Sequence, residues 1–338
     1  MSSSDSHPFF KVDQDAIIKK LGQNVLLDCL RRMYLIRHFE LRAEAAYQQG
    51  KIGGFFHAYI GQEAIQTAVV QAMGQNNWYA TSYRCHALAL LLQATPNELM
   101  AELFGRETGN AKGRGGSMHF FTERLLGGFG IVGGQVPIAT GAAFTLKYND
   151  IKDQVSVCFL GDGAVPQGAF HESLNLASLW DLPCIYVIEN NEWGMGTSVK
   201  KAVAADLLAE DKAAGYRMKG YTLNGMDFFN CYGGFEFLYK QVLETQRPVL
   251  VEVKTHRFKG HSISDPGAYR TKESLKKIME NDPITYMQKI LMDRQLVTEE
   301  QIKSIDQETK EIILQALEYA DKSPWPNPIT LGDDVFAP

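Results

Sequence analysis

Residues 155–197 read VSVCFLGDGAVPQGAFHESLNLASLWDLPCIYVIENNEWGMGT, and the fold class follows from this stretch. Val155 to Leu160 is an apolar run too short for a free-standing helix and rich enough in Val and Phe for a buried strand. The run breaks on Gly161-Asp162-Gly163, where glycine permits a sharp turn and leaves room for a ligand against the backbone. Phe170, Leu174 and Ala177 then share one face of a helix that Leu176 and Leu179 widen, and Asp181-Leu182-Pro183 ends it. A second apolar run, Pro183 to Ile188, finishes on Glu189-Asn190-Asn191. Strand, helix and strand in succession predict two parallel strands with Asp162 and Asn191 at their carboxyl ends.

That placement has a chemical consequence. Asp162 brings an anionic oxygen and Asn191 a neutral amide oxygen to neighbouring strand ends. Magnesium takes a few hard oxygen ligands and completes its octahedron with substrate phosphates and water, whereas zinc would call for Cys or His. Peptide N–H groups around Gly163 and Ala164, expected to open the helix, suit phosphate oxygens. A magnesium–diphosphate site is therefore the expectation.

A Gly-Asp-Gly followed after about two dozen residues by Asn-Asn resembles the signature of thiamine diphosphate-dependent enzymes. The string ENNEWGMGTS (189–198) resembles the alpha subunits of pyruvate dehydrogenase, the decarboxylating first component of the 2-oxo acid dehydrogenase complexes. TSYR (81–84), GRGGSMH (113–119), GIVGGQVP (130–137) and GHSISDPGAYR (260–270) agree with the same family, and the likeness runs from about Leu27 to Pro324. It implies the thiamine diphosphate-binding α/β fold, a parallel sheet flanked by helices, with helical N- and C-terminal extensions.

By the same resemblance, Asp162, Asn191 and the backbone carbonyl of Trp193 hold Mg2+, while Gly163, Ala164, Tyr83 and Arg84 hold the diphosphate of thiamine diphosphate. Arg84 offers a planar donor fork and Tyr83 one hydroxyl. Gly130 and Val132 lend backbone groups to the aminopyrimidine, and Met195 supports the bent cofactor. His57 and His261 act beside the substrate carboxylate and the lipoyl sulfur, and His261 also reaches the cofactor. Read without the family, His57 is either a ligand-facing imidazole or a hydrogen-bonded loop residue, His86 is either catalytic or, the favoured reading, local, and His261 is a surface residue. Ala87 stands where the family often has glycine, and Ser262 matches a position phosphorylated in some animal relatives.

The implied activity is oxidative decarboxylation of pyruvate with acetylation of the lipoyl domain of dihydrolipoyl acetyltransferase. The chain has length for one α/β domain of this kind. The glutamate that activates the aminopyrimidine is accordingly expected from a separate beta subunit in an α2β2 assembly, leaving this chain silent alone. Acetoin and branched-chain 2-oxo acid dehydrogenases share the scaffold, and a non-catalytic cofactor-binding subunit is a further alternative.

Two glycine patterns point elsewhere. Gly128-Phe129-Gly130-Ile131-Val132-Gly133 spells the GxGxxG of a dinucleotide site, which needs a strand before it and an acidic residue about twenty positions on. Glu123 to Leu126 reads as a poor strand and Asp150 as part of a polar loop, so a nicotinamide oxidoreductase is the lesser reading. Residues 105–119 are glycine-dense but lack the Gly-Lys-Ser ending of a P-loop, and Lys112, Arg114 and His119 make a plain linker a poor description.

Composition sets the outer bounds. The chain has 338 residues, 45% of them hydrophobic, ample for a large core. A net charge of −5 argues against nucleic acid or an anionic membrane as partner. No apolar run approaches the roughly eighteen residues of a membrane span, and MSSSDSHPFF has neither a signal-peptide core nor presequence arginines. Five scattered cysteines without a CxxC pair fit a reduced, cytoplasmic protein. The expected organisation is a mobile tail at 1–15, one domain over 16–323 and an extended tail over 324–338.

Elsewhere, Leu26, Leu30, Met33, Tyr34, Leu41 and Ala45 predict a helix over 25–49, with Arg31, Arg32, Arg37, Glu40 and Arg42 on a solvated or subunit-facing side. Residues 78–81, 221–224 and 248–255 read as further strands, and 136–148 as a helix behind the Gly130 turn. Asp282-Pro283 and Thr298 with Gln301 cap two C-terminal helices, the second burying Ile302, Ile305, Ile312, Ala316 and Ala320.

Overall fold

The computed structural model describes residues 9–335. Six strands form its main sheet: β1 (Trp78–Ser82), β2 (Leu125–Phe129), β3 (Ser156–Gly161), β4 (Cys184–Asn190), β5 (Lys219–Asn224) and β6 (Val249–Lys254). Their order is β2-β1-β3-β4-β6-β5, and each neighbouring pair is parallel. Alternation along the strands divides the side chains between two cores. Val157 and Phe159 of β3, with Ile185 and Val187 of β4, face the core beneath helices Gln14–Gln48, Glu63–Met73 and Phe228–Thr245. Cys158, Leu160, Tyr186 and Ile188 face the other core, under helices Gln135–Tyr148 and Gly168–Leu179.

The connections locate the working end. β1 leads outward to β2, whereas β3 leads the opposite way to β4, so the carboxyl ends of β1 and β3 bound a crevice at the point where the winding reverses. Gly161 pairs with Glu189 in the β3–β4 register, which brings Asp162 and Asn190-Asn191 to the same height.

Several sequence expectations need correction. The first helix begins at Gln14, capped by Asp13, and bends at Gly22, whose φ of 71° a side chain would resist. Glu40 on that helix is fully buried, Arg37 is paired with Glu63 and Asp282, and Leu41 is exposed, so the charged face points partly inward. Gly163 and Ala164 do not open the long helix; they form a 3₁₀ turn, Asp162–Ala164, and the helix starts at Gly168. Leu179 is exposed at that helix's end rather than part of its buried face. Ile313, not Ile312, lies in the stripe of helix Glu299–Lys322 together with Thr309, because a buried face advances by three or four residues at a time.

At the N-terminus, residues 1–8 lie outside the described residues. Packing begins before position 15: the Phe10 N–H donates to Thr222 O and its ring meets Tyr221 and Phe237. At the other end, Pro328–Gly332 is a 3₁₀ turn held by Arg114, which donates to Thr330 O and Asp333 O. Residues 336–338 are outside the described part. Among the described residues no helix is long and apolar enough to cross a membrane, and all five cysteines are buried and free.

Candidate cofactor and active site

Six backbone segments converge at the carboxyl end of the sheet. β1 ends on Tyr83-Arg84, β2 on the 130–133 turn, β3 on Asp162-Gly163-Ala164 and β4 on Asn191 to Met195. The loops 51–62 and 256–270 close the sides.

Asp162 and Asn191 are both buried, 2% and 8% exposed. Asn191 donates its amide to Gln62 Oε1 at 3.2 Å and accepts from the Trp193 N–H at 3.3 Å, so its carboxamide orientation is fixed by both neighbours. Burial pushes the Asp162 carboxyl up to about 6, with its own and Asn191's backbone N–H groups and the Arg257 charge offsetting only part of the loss of water. The turns also touch. A Cβ on Gly163 would sit 3.2 Å from Gly194 Cα, so a side chain there would press the two strand ends apart.

This donor set fits a hard cation shared with a diphosphate: one desolvated carboxylate, one carboxamide oxygen and peptide groups. Among the described residues there is no cluster of three or more His, Cys, Asp or Glu placed to hold a metal ion. Trp193 packs its ring on Tyr269 at 4.7 Å, and Met195, at φ 55° and 65% exposed, projects from the turn after it. Gly130 backs onto His119, whose ring lies 3.4 Å from where a Cβ would be, and Val132 beside it is exposed. Gly133 meets Gln167 in the same way at 3.4 Å, joining the 130–133 turn to the segment after Asp162.

The two histidines singled out in the sequence do come together. Their rings are 5.3 Å apart, and Tyr83 lies 4.3 Å from His57 and 5.7 Å from His261. Tyr83 Oη is 3.5 Å from His261 Nε2. The Nδ1 atoms of both histidines are buried without a partner. Burial and the Arg84 charge lower His57 to about 2 and His261 to about 3, so both rings are neutral. Arg84 joins the loops that carry them, donating to Ala58 O at 2.7 Å and to His261 O at 2.5 Å. Burial and nearby Arg257 bring its own pKa down to about 10.

His86 is indeed local: fully buried, it contacts Glu40 at 3.0 Å and the Ser117 carbonyl at 2.8 Å. Sequence reasoning missed other residues. Arg257, 2% exposed, donates to Lys259 O and to Tyr269 Oη, and Asp265 accepts from the Tyr269 hydroxyl and from the His261 N–H. Those bonds give the 260–270 loop its shape. Glu189, pushed up to about 7 by burial, bonds Tyr59 and Gln66 directly below Asn191 in the chain. Arg257 and Glu189 had one signal in the sequence, their position just beyond or at a strand's carboxyl end, whereas Asp265 lay inside the 260–270 motif without a role of its own.

β2 is a true strand ahead of the GxGxxG, contrary to expectation, and its pairing with β1 outweighs its glycines. Asp150, however, precedes β3, at the opposite end of the sheet from the glycine turn, where it could not reach a ribose held there.

A six-stranded parallel sheet flanked by helices, with Asp162 and Asn191 buried at the carboxyl ends of β3 and β4, defines the class, the thiamine diphosphate-binding fold. The chain belongs to the family described as dehydrogenase E1 component, which matches residues 31–329. Among its relatives, the pyruvate dehydrogenase E1 component subunit alpha of Rickettsia conorii is 45% identical over 306 residues, covering 90% of this chain and 93% of the relative. The subunit of that name from Rhizobium meliloti is 39% identical, over 92% of this chain and 89% of its own. The mitochondrial subunit from Schizosaccharomyces pombe is 36% identical over 97% and 80% respectively.

Proposed function

We propose that this chain is the alpha subunit of a pyruvate-oxidising E1, working in the cytoplasm with a beta subunit in an α2β2 assembly and acetylating the lipoyl domain of a dihydrolipoyl acetyltransferase. The observation that carries the proposal is the buried Asp162–Asn191 pair at the ends of adjacent parallel strands, over two glycine turns in contact. Family membership and the relatives' shared name support the choice of substrate. Residues 16–323 act as the single cofactor-binding domain of this subunit.

Thiamine diphosphate supplies, when bound, the electron sink that removal of carbon dioxide from a 2-oxo acid requires. The chain's residues bind and orient. Asp162, Asn191 and the Trp193 carbonyl hold Mg2+; Gly163, Ala164, Tyr83 and Arg84 hold the diphosphate; Gly130 and Val132 receive the pyrimidine; and Met195 supports its bend. His57 and His261, neutral and close together, present ring nitrogens to the substrate carboxylate and the lipoyl sulfur, where they stabilise negative charge by donating hydrogen bonds.

Calorimetric titration with thiamine diphosphate and Mg2+ against NAD, on the chain co-expressed with its beta partner, followed by a ferricyanide-coupled assay over several 2-oxo acids, tests this. The expected result is cofactor binding that needs Mg2+, no NAD binding and a preference for pyruvate. Turnover by the chain alone would refute the shared active site, and preference for acetoin or a branched-chain acid would refute the substrate.

A further inference from the structure

The glycine-dense segment 105–119 has no part in the chemistry above, yet it is wrapped around a single carboxylate. Glu102 lies in the last turn of helix Pro96–Leu103, the end where the helix dipole disfavours a negative charge. It is fully buried, and among the described residues no arginine or lysine is paired to it, with Arg114 and Arg124 paired instead to Asp334 and Glu123. Four peptide N–H groups take the place of a cation. Ala111 and Gly113 donate to Oε2 at 2.8 and 2.9 Å, and Gly115 and Gly116 donate to Oε1 at 2.7 and 3.1 Å. The glycines are what let the chain close so tightly. A Cβ at Gly109 would fall 2.6 Å from Glu102 Cα, and Gly113 has φ 75° with its Cβ position 2.7 Å from the Gly105 carbonyl.

The far end of this wrapped segment meets the cofactor site. Ser117 O accepts from the His86 ring, and His119 Nδ1 is bonded to Gly128 O at 2.9 Å. The Met118 side chain and the His119 ring flank Gly130, at 3.8 and 3.4 Å from its Cβ position. The wall behind the 130–133 turn is thus built from a loop whose fold depends on one charge.

We propose that Glu102 is a positioning residue: its carboxylate templates residues 109–119, and these hold the Gly130 turn in the shape that receives the cofactor's pyrimidine. This rests on the function proposed above. Glu102→Gln puts an amide donor opposite two peptide donors and so opens the nest without changing its size.

In the enzyme assembled with its beta subunit, E102Q is expected to raise the dissociation constant for thiamine diphosphate about tenfold or more. The kcat at saturating cofactor should stay within about twofold, and KM for pyruvate should be unchanged. Trypsin cleavage after Lys112 and Arg114 should speed up about tenfold as the segment opens. Glu102→Asp, which keeps the charge and withdraws it by one carbon, serves if E102Q does not fold. Unchanged cleavage overturns the templating role; faster cleavage with unchanged cofactor affinity overturns the positioning role. Wild-type enzyme that binds no thiamine diphosphate overturns the underlying function instead, and shows itself before any substitution is made.

Discussion

Replacing His57 by Gln removes a group that the folded chain keeps from titrating. The unfolded imidazole takes a proton near its ordinary value of 6.5, whereas burial and Arg84 hold the folded one down to about 2. A lowered value means the stability is fully present above 6.5 and is lost as the pH falls toward 2. At pH 5 the unfolded state is favoured by about 1.5 pH units' worth of proton binding, close to 2 kcal/mol at ~1.36 kcal/mol per unit. With an unfolding entropy of roughly 2.1 cal/mol/K per residue, a chain of 338 residues converts that to about 3 °C in Tm. The assay is calorimetric melting of the cofactor-free chain at pH 7.5 and pH 5. H57Q loses a ring contact with Tyr83 at both pH values, so the comparison is between the two declines. Wild type should fall further than H57Q by about 3 °C, and further than H57Q/H261Q by about 6 °C, since His261 is held down to about 3 in the same way. Equal declines would refute the claim that these rings are buried neutral.

Two further outcomes follow from particular contacts. Glu40→Ala leaves the Tyr59 N–H and a His86 ring nitrogen buried without their acceptor, and should cost about 3 kcal/mol, roughly 4 °C by the same conversion; a melting shift under about 1 °C would contradict it. Gly163→Ala sets a methyl group 3.2 Å from Gly194 Cα, so Mg2+-dependent cofactor affinity should fall about tenfold while Tm of the free chain moves little, and titration showing wild-type affinity would contradict that.

Periodicity and turn chemistry are local, and what they encode was legible. β3, helix Gly168–Leu179 and β4 follow from residues 155–191 alone, as does the placing of Asp162 and Asn191 at neighbouring parallel strand ends, because a crossover joining parallel strands leaves little choice. The caps at Asp282 and Thr298 were readable for the same reason. Glu40 was not. It reads as one more charge on a helix until His86, 46 positions away, arrives to bury it. β2 looked too weak to be a strand, since its stability comes from β1 beside it rather than from its own glycines. The face of Tyr83 turned to His261 spans 178 positions, and the nest around Glu102 depends on φ angles that glycine permits but does not specify. The sequence by itself determined β3, β4 and the helix between them, and that Asp162 and Asn191 stand at neighbouring strand ends. Only the tertiary structure decided which buried charges meet which partners, because those hydrogen bonds join distant segments and impose no repeat along the chain.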